Sequence, residues 1–191
     1  MAEIKYDIIL SGVGGQGVLS LAAVIALGAM RDGLKVRQSE VHGMAQRGGE
    51  VLAHLRLSDK EIASDLIPSG SASMILSMEP LESLRYLSFL ANEGILVTSS
   101  DSVLNIKNYP NKDEILREIK QLSRSFIINS GEIAKQAGSP KATNMVMVGA
   151  AALHLPVSSA ALEEAIRDIF QPKGEAVTDI NIKAFRLGQN C

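Results

Sequence analysis

The stretch SGVGGQG at residues 11–17 lies between an apolar run at residues 6–10 and a longer apolar segment at residues 18–30. Glycine has no Cβ and adopts positive φ readily, so the chain can turn sharply here and a ligand can approach the backbone N–H groups. The pattern predicts a strand, a glycine-rich loop and the N-terminus of a helix. Because a helix N-terminus attracts negative charge, such a loop is suited to an anion.

The spacing of Gly12, Gly14 and Gly17 fits the dinucleotide-binding fingerprint Gly-x-Gly-x-x-Gly. In that fingerprint the glycines allow the turn, the close approach of a phosphate, and the packing of helix on strand. The spacing by itself does not separate a ligand-binding loop from a purely structural tight turn, and both interpretations stay open. The candidate cofactor-binding residues of this loop are Gly12, Gly14, Gly15, Gln16 and Gly17.

Length and composition limit the class of protein. The chain has 191 residues, 46% hydrophobic and 21% charged, with a formal net charge of −2. We expect a single domain over residues 1–191, and neither disorder nor a nucleic-acid-binding surface. The apolar segment at residues 18–30 is shorter than the roughly 20 residues that a membrane span needs. Without a signal-like N-terminus, the sequence predicts a cytoplasmic protein with no membrane partner.

The cysteine and histidine content limits the metal chemistry of the chain. The one cysteine, Cys191, is the last residue, so no disulfide, thiolate zinc site or cysteine-held iron–sulfur cluster can form within one chain. His54 and His154 have no partner at the spacing of metal ligands. We therefore assign no metal site to this chain. No Ser/His/Asp order or phosphate-loop Gly-Lys-Ser/Thr motif can be picked out, so no residue is assigned as catalytic, and His42 is considered below as an accessory residue.

The order of apolar patterns predicts an α/β, Rossmann-like three-layer fold with a mainly parallel sheet. Residues 1–40 are expected to form a β-α-β unit with parallel strands and a right-handed crossover, followed by a loop at residues 40–49. A β-hairpin after the second strand is predicted from alternation at residues 51–57 and a turn at residues 58–60, with residues 61–63 as the returning arm. Further strands are expected at residues 72–77, 95–98 and 126–128, and helices at residues 80–90, 112–122, 132–137, 142–153, 159–170 and 178–187.

A second polar loop contains the other candidate site residues. Glu40 follows the second predicted strand, where dinucleotide-binding folds place an acidic residue for the ribose; a solvated or interface carboxylate is the alternative. Arg47 precedes Gly48 and Gly49, and its planar guanidinium can bind a carboxylate or phosphate, form a salt bridge across a subunit interface, or lie on the surface. His42 is a candidate acid or base, or a hydrogen-bonding loop residue.

Gln46 is the last candidate in this loop, because its amide can donate or accept a hydrogen bond. Together with Glu40 and His42 it forms a group of accessory or interface residues. Arg47, Gly48 and Gly49 are assigned to cofactor binding alongside the first glycine loop. Asn144 and Asn181 are polar residues in predicted helices, and each either binds a partner or caps its helix locally.

Three motifs together resemble one family. GVGGQG at residues 12–17, EVHGMAQRGG at residues 40–49 and the C-terminal segment at residues 173–188 are similar to the gamma-type subunit of 2-oxoacid:ferredoxin oxidoreductases. The second motif is most similar to the small subunit of the indolepyruvate-specific members. The resemblance covers essentially the whole chain, and two long motifs in the right order are more specific than one glycine fingerprint.

The resemblance implies a subunit of an enzyme that oxidatively decarboxylates a 2-oxoacid, an indolepyruvate or arylpyruvate, to acyl-coenzyme A and CO2. Electrons pass through iron–sulfur clusters to ferredoxin. Thiamine diphosphate, Mg and the clusters are expected in a larger partner subunit, which makes the assembly a hetero-oligomer. The isolated chain is expected to be inactive, and a homodimer is one form that it can take. The phosphates of coenzyme A would suit the loop at residues 12–17 and Arg47.

Two other classes of protein compete with this interpretation. A free-standing nicotinamide- or flavin-binding oxidoreductase is supported by the spacing of Gly12, Gly14 and Gly17 and by Glu40. A homo-oligomeric scaffold without a ligand is the third alternative. The nature of the 2-oxoacid, the direction of the reaction and the stoichiometry of the assembly do not follow from the sequence.

Overall fold

The computed structural model describes residues 3–42 and 48–191, which fold around a six-stranded sheet of order β2-β3-β1-β4-β5-β6. The strands are β1 (Lys5–Val13), β2 (Lys35–His42), β3 (Glu50–Ser58), β4 (Ala72–Ser77), β5 (Leu90–Ser99) and β6 (Ser125–Ile128). The helices are α1 (Val18–Arg31), α2 (Pro80–Arg85), α3 (Lys112–Gln121), α4 (Ser130–Ala137), α5 (Thr143–Ala152), α6 (Ser159–Phe170) and α7 (Glu175–Gly188). Short 3-10 turns lie at Leu87–Phe89, Pro140–Ala142 and Gln171–Lys173.

The central strand β1 shows how the sequence produces three layers. Successive side chains of a strand point to opposite faces, so Ile8 and Leu10 face one layer while Ile9 faces the other. The first two pack with α1 and α4 to α7, and Ile9 packs with α2 and α3. All three side chains are fully buried, as expected for a sheet covered on both faces. The predicted three-layer α/β fold is confirmed.

The position of β3 corrects two expectations. β3 pairs antiparallel with both β1 and β2, whereas the pairs β1–β4, β4–β5 and β5–β6 are parallel. The β-α-β unit predicted over residues 1–40 is therefore wrong in one respect, because β3 separates its two strands. The hairpin is formed by β2 with β3, and residues 61–63 are not its returning arm. β3 has buried residues on both faces, so it belongs in the sheet interior with a neighbour on each side.

Other boundaries also differ from the sequence expectation. Residues 40–42 continue β2 and do not belong to the following loop. The helix expected at residues 80–90 ends at Arg85, and β5 begins at Leu90, well before the predicted start at residue 95. The four C-terminal helices and the cap at Asn111, whose Oδ1 accepts from the N–H of Asp113 at 2.8 Å, are confirmed. Among the helices of residues 3–42 and 48–191, none is long and apolar enough to cross a membrane.

An ion pair between the buried Asp7 of β1 and the partly buried Arg56 of β3 links the two strands. Arg56 Nε donates to Asp7 Oδ1 at 2.8 Å, and its Nη2 donates to Oδ2 at 3.1 Å. Arg56 Nη1 donates to the carbonyls of Ser64 and Leu66 at 2.9 and 3.0 Å. The backbone at residues 64–66 is thus held against the guanidinium, and the carbonyls of Ser64 and Leu66 bond to Arg56.

Helices α5 and α7 cross at two glycines. A Cβ on Gly149 would overlap the carbonyl oxygen of Phe185, and a Cβ on Gly188 would overlap the carbonyl of Val146. The two backbones are therefore in direct contact. This crossing fixes Asn144 on α5 relative to Asn181 on α7.

Replacing Gly149 with alanine tests this crossing. Because the added methyl meets backbone that cannot rotate away, we expect Gly149→Ala to lower the free energy of unfolding by about 3 kcal/mol, the upper part of the range for overpacking. Urea denaturation measures the loss. The matched control is Gly70→Ala, where φ is +70° but the space is open; left-handed strain there should cost about 1 kcal/mol. Equal losses in the two variants would contradict the close contact of α5 with α7.

His54 predicts a pH dependence of stability. Its Nδ1 accepts a hydrogen bond from the N–H of Ile67 at 3.1 Å. Burial, with a smaller effect of the Arg56 charge, lowers its pKa below the usual value. The unfolded chain therefore takes up a proton first as the pH falls below about 6.5, and the folded state loses stability relative to it.

His54→Asn removes this titration while the asparagine Oδ1 still accepts from Ile67. Between pH 7.5 and 5.5 we expect the wild-type chain to lose up to about 1 kcal/mol more stability than the variant, measured by urea denaturation at each pH. A parallel decline of the two proteins would show that His54 keeps an ordinary pKa in the fold.

Candidate functional site

The two glycine-rich motifs meet at the carboxyl end of β1. The N–H of Gly14 donates to the carbonyl of Gly49 at 2.8 Å, and the N–H of Gly48 donates to the carbonyl of Gly14 at 3.3 Å. These bonds continue the β1–β3 ladder past its last pair, Val13 and Glu50. The loop at residues 11–17 and the glycines at residues 48–49 therefore form one continuous surface, which we call the glycine platform.

The side-chain amide of Gln16 stabilises the glycine platform. Its Oε1 accepts from the N–H of Val13 at 2.7 Å, and its Nε2 donates to the carbonyl of Met78 at 3.0 Å. The N–H of Met78 in turn donates to the carbonyl of Ser11 at 2.9 Å. Both ends of the Gln16 amide therefore contact the protein and hold the loop against the chain leaving β4. The ligand-binding role expected for Gln16 stays a prediction.

The glycines of the loop divide into structural and accessible positions. A Cβ on Gly12 would lie 2.9 Å from Val18 Cγ2 and 3.0 Å from the Cβ of Met78, so this glycine is needed for packing. Gly17 has φ +80° and is the N-cap of α1. Gly15 has φ +104°, is exposed and has open space around its Cα. Gly15 is thus the point of the platform where a ligand can approach the backbone.

The N-terminus of α1 carries no internal compensation for its charge. Gly17 supplies no side-chain cap, and the first turn contains no acidic residue. The helix has 14 residues, and the positive end of its dipole lies beside the platform. The first N–H groups of a helix have no intrahelical partner, so this end can accept an anion.

Glu40 does not lie where a dinucleotide fold needs it. It is exposed on β2 and pairs with Ala53 of β3, which pairs in turn with Leu10 of β1. Two strand spacings of about 4.8 Å separate Glu40 from the strand that leads into the glycine loop. A ribose bound at Gly12 and Gly14 is therefore out of line with this carboxylate.

The remaining candidates lie partly outside the described residues. His42 is the last residue of β2, opposite Val51, and its side chain is not described. Gln46 and Arg47 lie outside the described residues altogether. The roles predicted for these three side chains stay predictions.

A buried carboxylate network beside the platform was not predicted. Glu79 follows β4 and caps α2, because its Oε2 accepts from the N–H of Glu82 at 2.8 Å. Its Oε1 accepts from the Tyr109 hydroxyl and from the N–H of Val103 at 3.4 Å. These bonds tie the loop between β5 and α3 to the start of α2. Asn105 in this loop donates from Nδ2 to the carbonyl of Gly48 at 2.8 Å, which makes the loop a third support of the platform.

Arg85 is neutralised within the same region. It donates from Nε and Nη2 to the Glu82 carboxylate at 3.0 and 3.2 Å, and its Nη1 lies 3.5 Å from Glu50 Oε2. Burial raises the pKa of Glu82, and the Arg85 charge opposes that shift. A cleft of about 230 Å³ beside Gly48 is lined by these three side chains. Among the described residues that line this cleft, the guanidinium of Arg85 faces the carboxylates of Glu50 and Glu82, which neutralise its charge.

Residues 7–191 match the pyruvate ferredoxin/flavodoxin oxidoreductase family. The chain belongs to this family. The resemblance carried by the two glycine motifs is therefore confirmed, and in this family member the motifs are brought together by the backbone bonds of Gly14.

Three similar proteins illustrate the family. Indolepyruvate oxidoreductase subunit IorB from Archaeoglobus fulgidus is 38% identical over 98% of this chain and 95% of its own length. The gamma subunit of a keto/oxoacid ferredoxin oxidoreductase from Geobacter sulfurreducens superposes with a TM-score of 0.72 at 28% identity, over 97% of this chain and 96% of that chain. These relatives are subunits, which supports the subunit prediction over a free-standing nicotinamide- or flavin-binding oxidoreductase.

The third similar protein is 2-oxoglutarate:ferredoxin oxidoreductase from Magnetococcus marinus, solved with 2-oxoglutarate, coenzyme A and succinyl-CoA bound. It has a TM-score of 0.77 at 21% identity, which shows likeness of fold. All of this chain is covered, but only 31% of that chain. The fold described here thus occurs there as one part of a longer polypeptide.

The donor set does not fit a metal centre in the part of the chain that the structure describes. No group of three or more His, Cys, Asp or Glu side chains in residues 3–42 and 48–191 is placed to hold a metal ion. An iron–sulfur cluster needs several thiolates, and Cys191 is the single cysteine of the sequence.

Gln16→Glu tests the support of the platform. The glutamate can still accept from Val13, but its second oxygen faces the carbonyl of Met78 in place of a donor. We expect a loss of about 1–3 kcal/mol in the free energy of unfolding at pH 7.5. At pH 4.5 the loss should shrink, because a protonated carboxyl can donate to Met78. Urea denaturation at both pH values provides the measurement.

Gln121→Glu is the matched control, because it makes the same change of charge at an exposed residue at the end of α3. Its stability should change by less than about 0.5 kcal/mol. If Gln16→Glu were as stable as this control at pH 7.5, the Gln16 amide would not be supporting the loop.

Proposed function

We propose that this chain is the small subunit of an indolepyruvate- or arylpyruvate-specific 2-oxoacid:ferredoxin oxidoreductase, in which it forms one wall of the coenzyme A site. The substrate class is supported by IorB, which is 38% identical along nearly its whole length. The wall is the glycine platform. The observation that carries this proposal is the pair of backbone hydrogen bonds that joins Gly14 to Gly48 and Gly49.

The platform suits the phosphates of coenzyme A for two reasons. Exposed backbone at Gly15 allows close approach, and the uncapped N-terminus of α1 provides N–H donors and a positive dipole. The dipole contributes only about 0.3–1 kcal/mol at an exposed site, far less than a micromolar affinity requires. Arg47, next to Gly48 in sequence, is the expected cation of this wall, and the partner subunit is expected to provide the remaining contacts.

The chemical step belongs to the partner in this proposal. The chain's donor set does not fit iron–sulfur clusters, and the larger subunit is assigned thiamine diphosphate, Mg and the clusters that pass electrons to ferredoxin. Coenzyme A supplies the thiol that takes the acyl group. The part of this chain is to position the coenzyme A phosphates and to exclude water from the reacting centre. The isolated chain is then inactive, and a hetero-oligomer is the working form.

Gly15→Ser tests the platform in the assembled enzyme. A side chain at Gly15 blocks the approach of a phosphate to the backbone, so we expect the KM for coenzyme A to rise about tenfold with the KM for the 2-oxoacid unchanged. Gly33→Ser is the matched control. Gly33 also has positive φ, +81°, and open space, but it lies beyond the other end of α1.

Both variants carry similar backbone strain, so a difference between them reports on the site. Equal KM values for coenzyme A in the two variants would show that the platform is not part of the coenzyme A site. Arg47→Ala provides an independent readout: an assembled variant that keeps the wild-type KM for coenzyme A would show that the arginine role is wrong.

A further inference from the structure

A second cleft lies at the first turn of α1, where Ser20 is part of its lining. Its volume is about 310 Å³, and it lies between α1, the Pro140–Ala142 turn, α5 and α7. Its charged lining residues are Lys141 and Lys173, and no carboxylate lines it in the part of the chain that the structure describes. The cleft is thus locally positive in a chain whose formal net charge is −2.

The side-chain amide of Asn144 lies beside the α1 N-terminus. The residue is only 7% exposed. Its Oδ1 accepts from the N–H of Met145 at 3.0 Å, which fixes the orientation of the amide. Its Nδ2 then lies beside Gly17, 2.9 Å from the position of a Cβ on that residue, and lines the cleft. Within the described residues the structure gives Nδ2 no acceptor, so a ligand atom would complete its hydrogen bonding.

Asn144, Lys141 and Lys173 line this one cleft, and the Asn144 amide lies beside Gly17, the N-cap of α1. The Lys173 ammonium lies over the ring of Phe170, which also lines the cleft, 4.9 Å from the ring centroid. Ser20 in the first turn of α1 also lines the cleft and adds a hydroxyl. The cleft beside Gly48 has a different charge balance, because the positive charge of Arg85 there is neutralised by Glu50 and Glu82.

We propose that this cleft binds a phosphate or pyrophosphate group, held by Asn144, the N-terminus of α1, Lys141 and Lys173. Anions at helix N-termini are a general arrangement, and the buried amide provides a directional contact. Coenzyme A and a free inorganic anion are the two sources of this chemistry. The first rests on the proposed function, because it would extend the coenzyme A wall from Gly15 around the end of α1.

Calorimetric titration of the full chain with inorganic pyrophosphate at low ionic strength tests the cleft. Wild type is expected to bind. Asn144→Asp keeps the acceptor for the N–H of Met145 but replaces the donor with a carboxylate, and should weaken binding about tenfold or more. The matched control is Asn92→Asp, which makes the same change of charge at an exposed residue of β5 and should bind like wild type, within about twofold.

Lys141→Gln provides a second test, because Asn144→Asp changes a buried residue and its effect on binding could reflect poor folding. Lys141 is exposed, so this chain should fold normally and bind pyrophosphate about threefold more weakly, with the difference vanishing at high salt. Absence of pyrophosphate binding at millimolar concentration in wild type, or equal affinities in wild type, Asn144→Asp and Lys141→Gln, would overturn the proposal.

A competition titration identifies the source. If coenzyme A displaces pyrophosphate and pantetheine does not, the site takes the coenzyme A phosphates; if neither displaces it, the occupant is a free anion. The test is separable from the proposed function. A cleft that fails to bind pyrophosphate, together with a raised KM for coenzyme A in Gly15→Ser, would reject this cleft and leave the platform intact.

Discussion

The backbone hydrogen bonds between Gly14 and the pair Gly48–Gly49 are the interaction on which the rest of the site depends. They form because β3 lies antiparallel beside β1 and ends where the glycine loop begins. If the strand beside β1 were parallel to it, as in an ordinary β-α-β unit, Gly48 and Gly49 would lie at the end of a different strand, away from the glycine loop. The Asp7–Arg56 pair and the close contact of β3 with both neighbours keep this arrangement in place.

The residues around the platform divide between support and contact. Gly12 and Gln16 face inward. Gly12 lies where there is no room for a Cβ, and the Gln16 amide links the loop to Met78. Gly15 is exposed, and the N-terminus of α1 that follows it has no side-chain cap. In the proposed function, this division separates the residues that hold the platform together from the positively polarised surface that a partner would close over. The small electrostatic contribution of that surface becomes useful in a closed site.

The sequence predicted the features that depend on local pattern. The β1–α1 unit and the four C-terminal helices follow from periodicity and caps. The insertion of β3 between β1 and β2 was missed, because alternation marks a strand without naming its neighbours. The Glu79 network was missed for a similar reason: Val103 and Tyr109 are distant in sequence, and only the Glu79–Pro80 start of α2 was a visible signal. Asn144 had been left between a partner contact and a local cap, and the tertiary contact with Gly17 shows which of its atoms is available.

The most direct test of the account is the equilibrium affinity for coenzyme A, measured by calorimetry for the isolated chain, the isolated larger subunit and the assembled enzyme. A wall completed by a partner predicts that the assembly binds coenzyme A about tenfold or more tightly than either subunit alone. A larger subunit that alone bound coenzyme A as tightly as the assembly does would contradict a wall completed by this chain. Binding of NAD(H) to the isolated chain at micromolar concentration would contradict it equally.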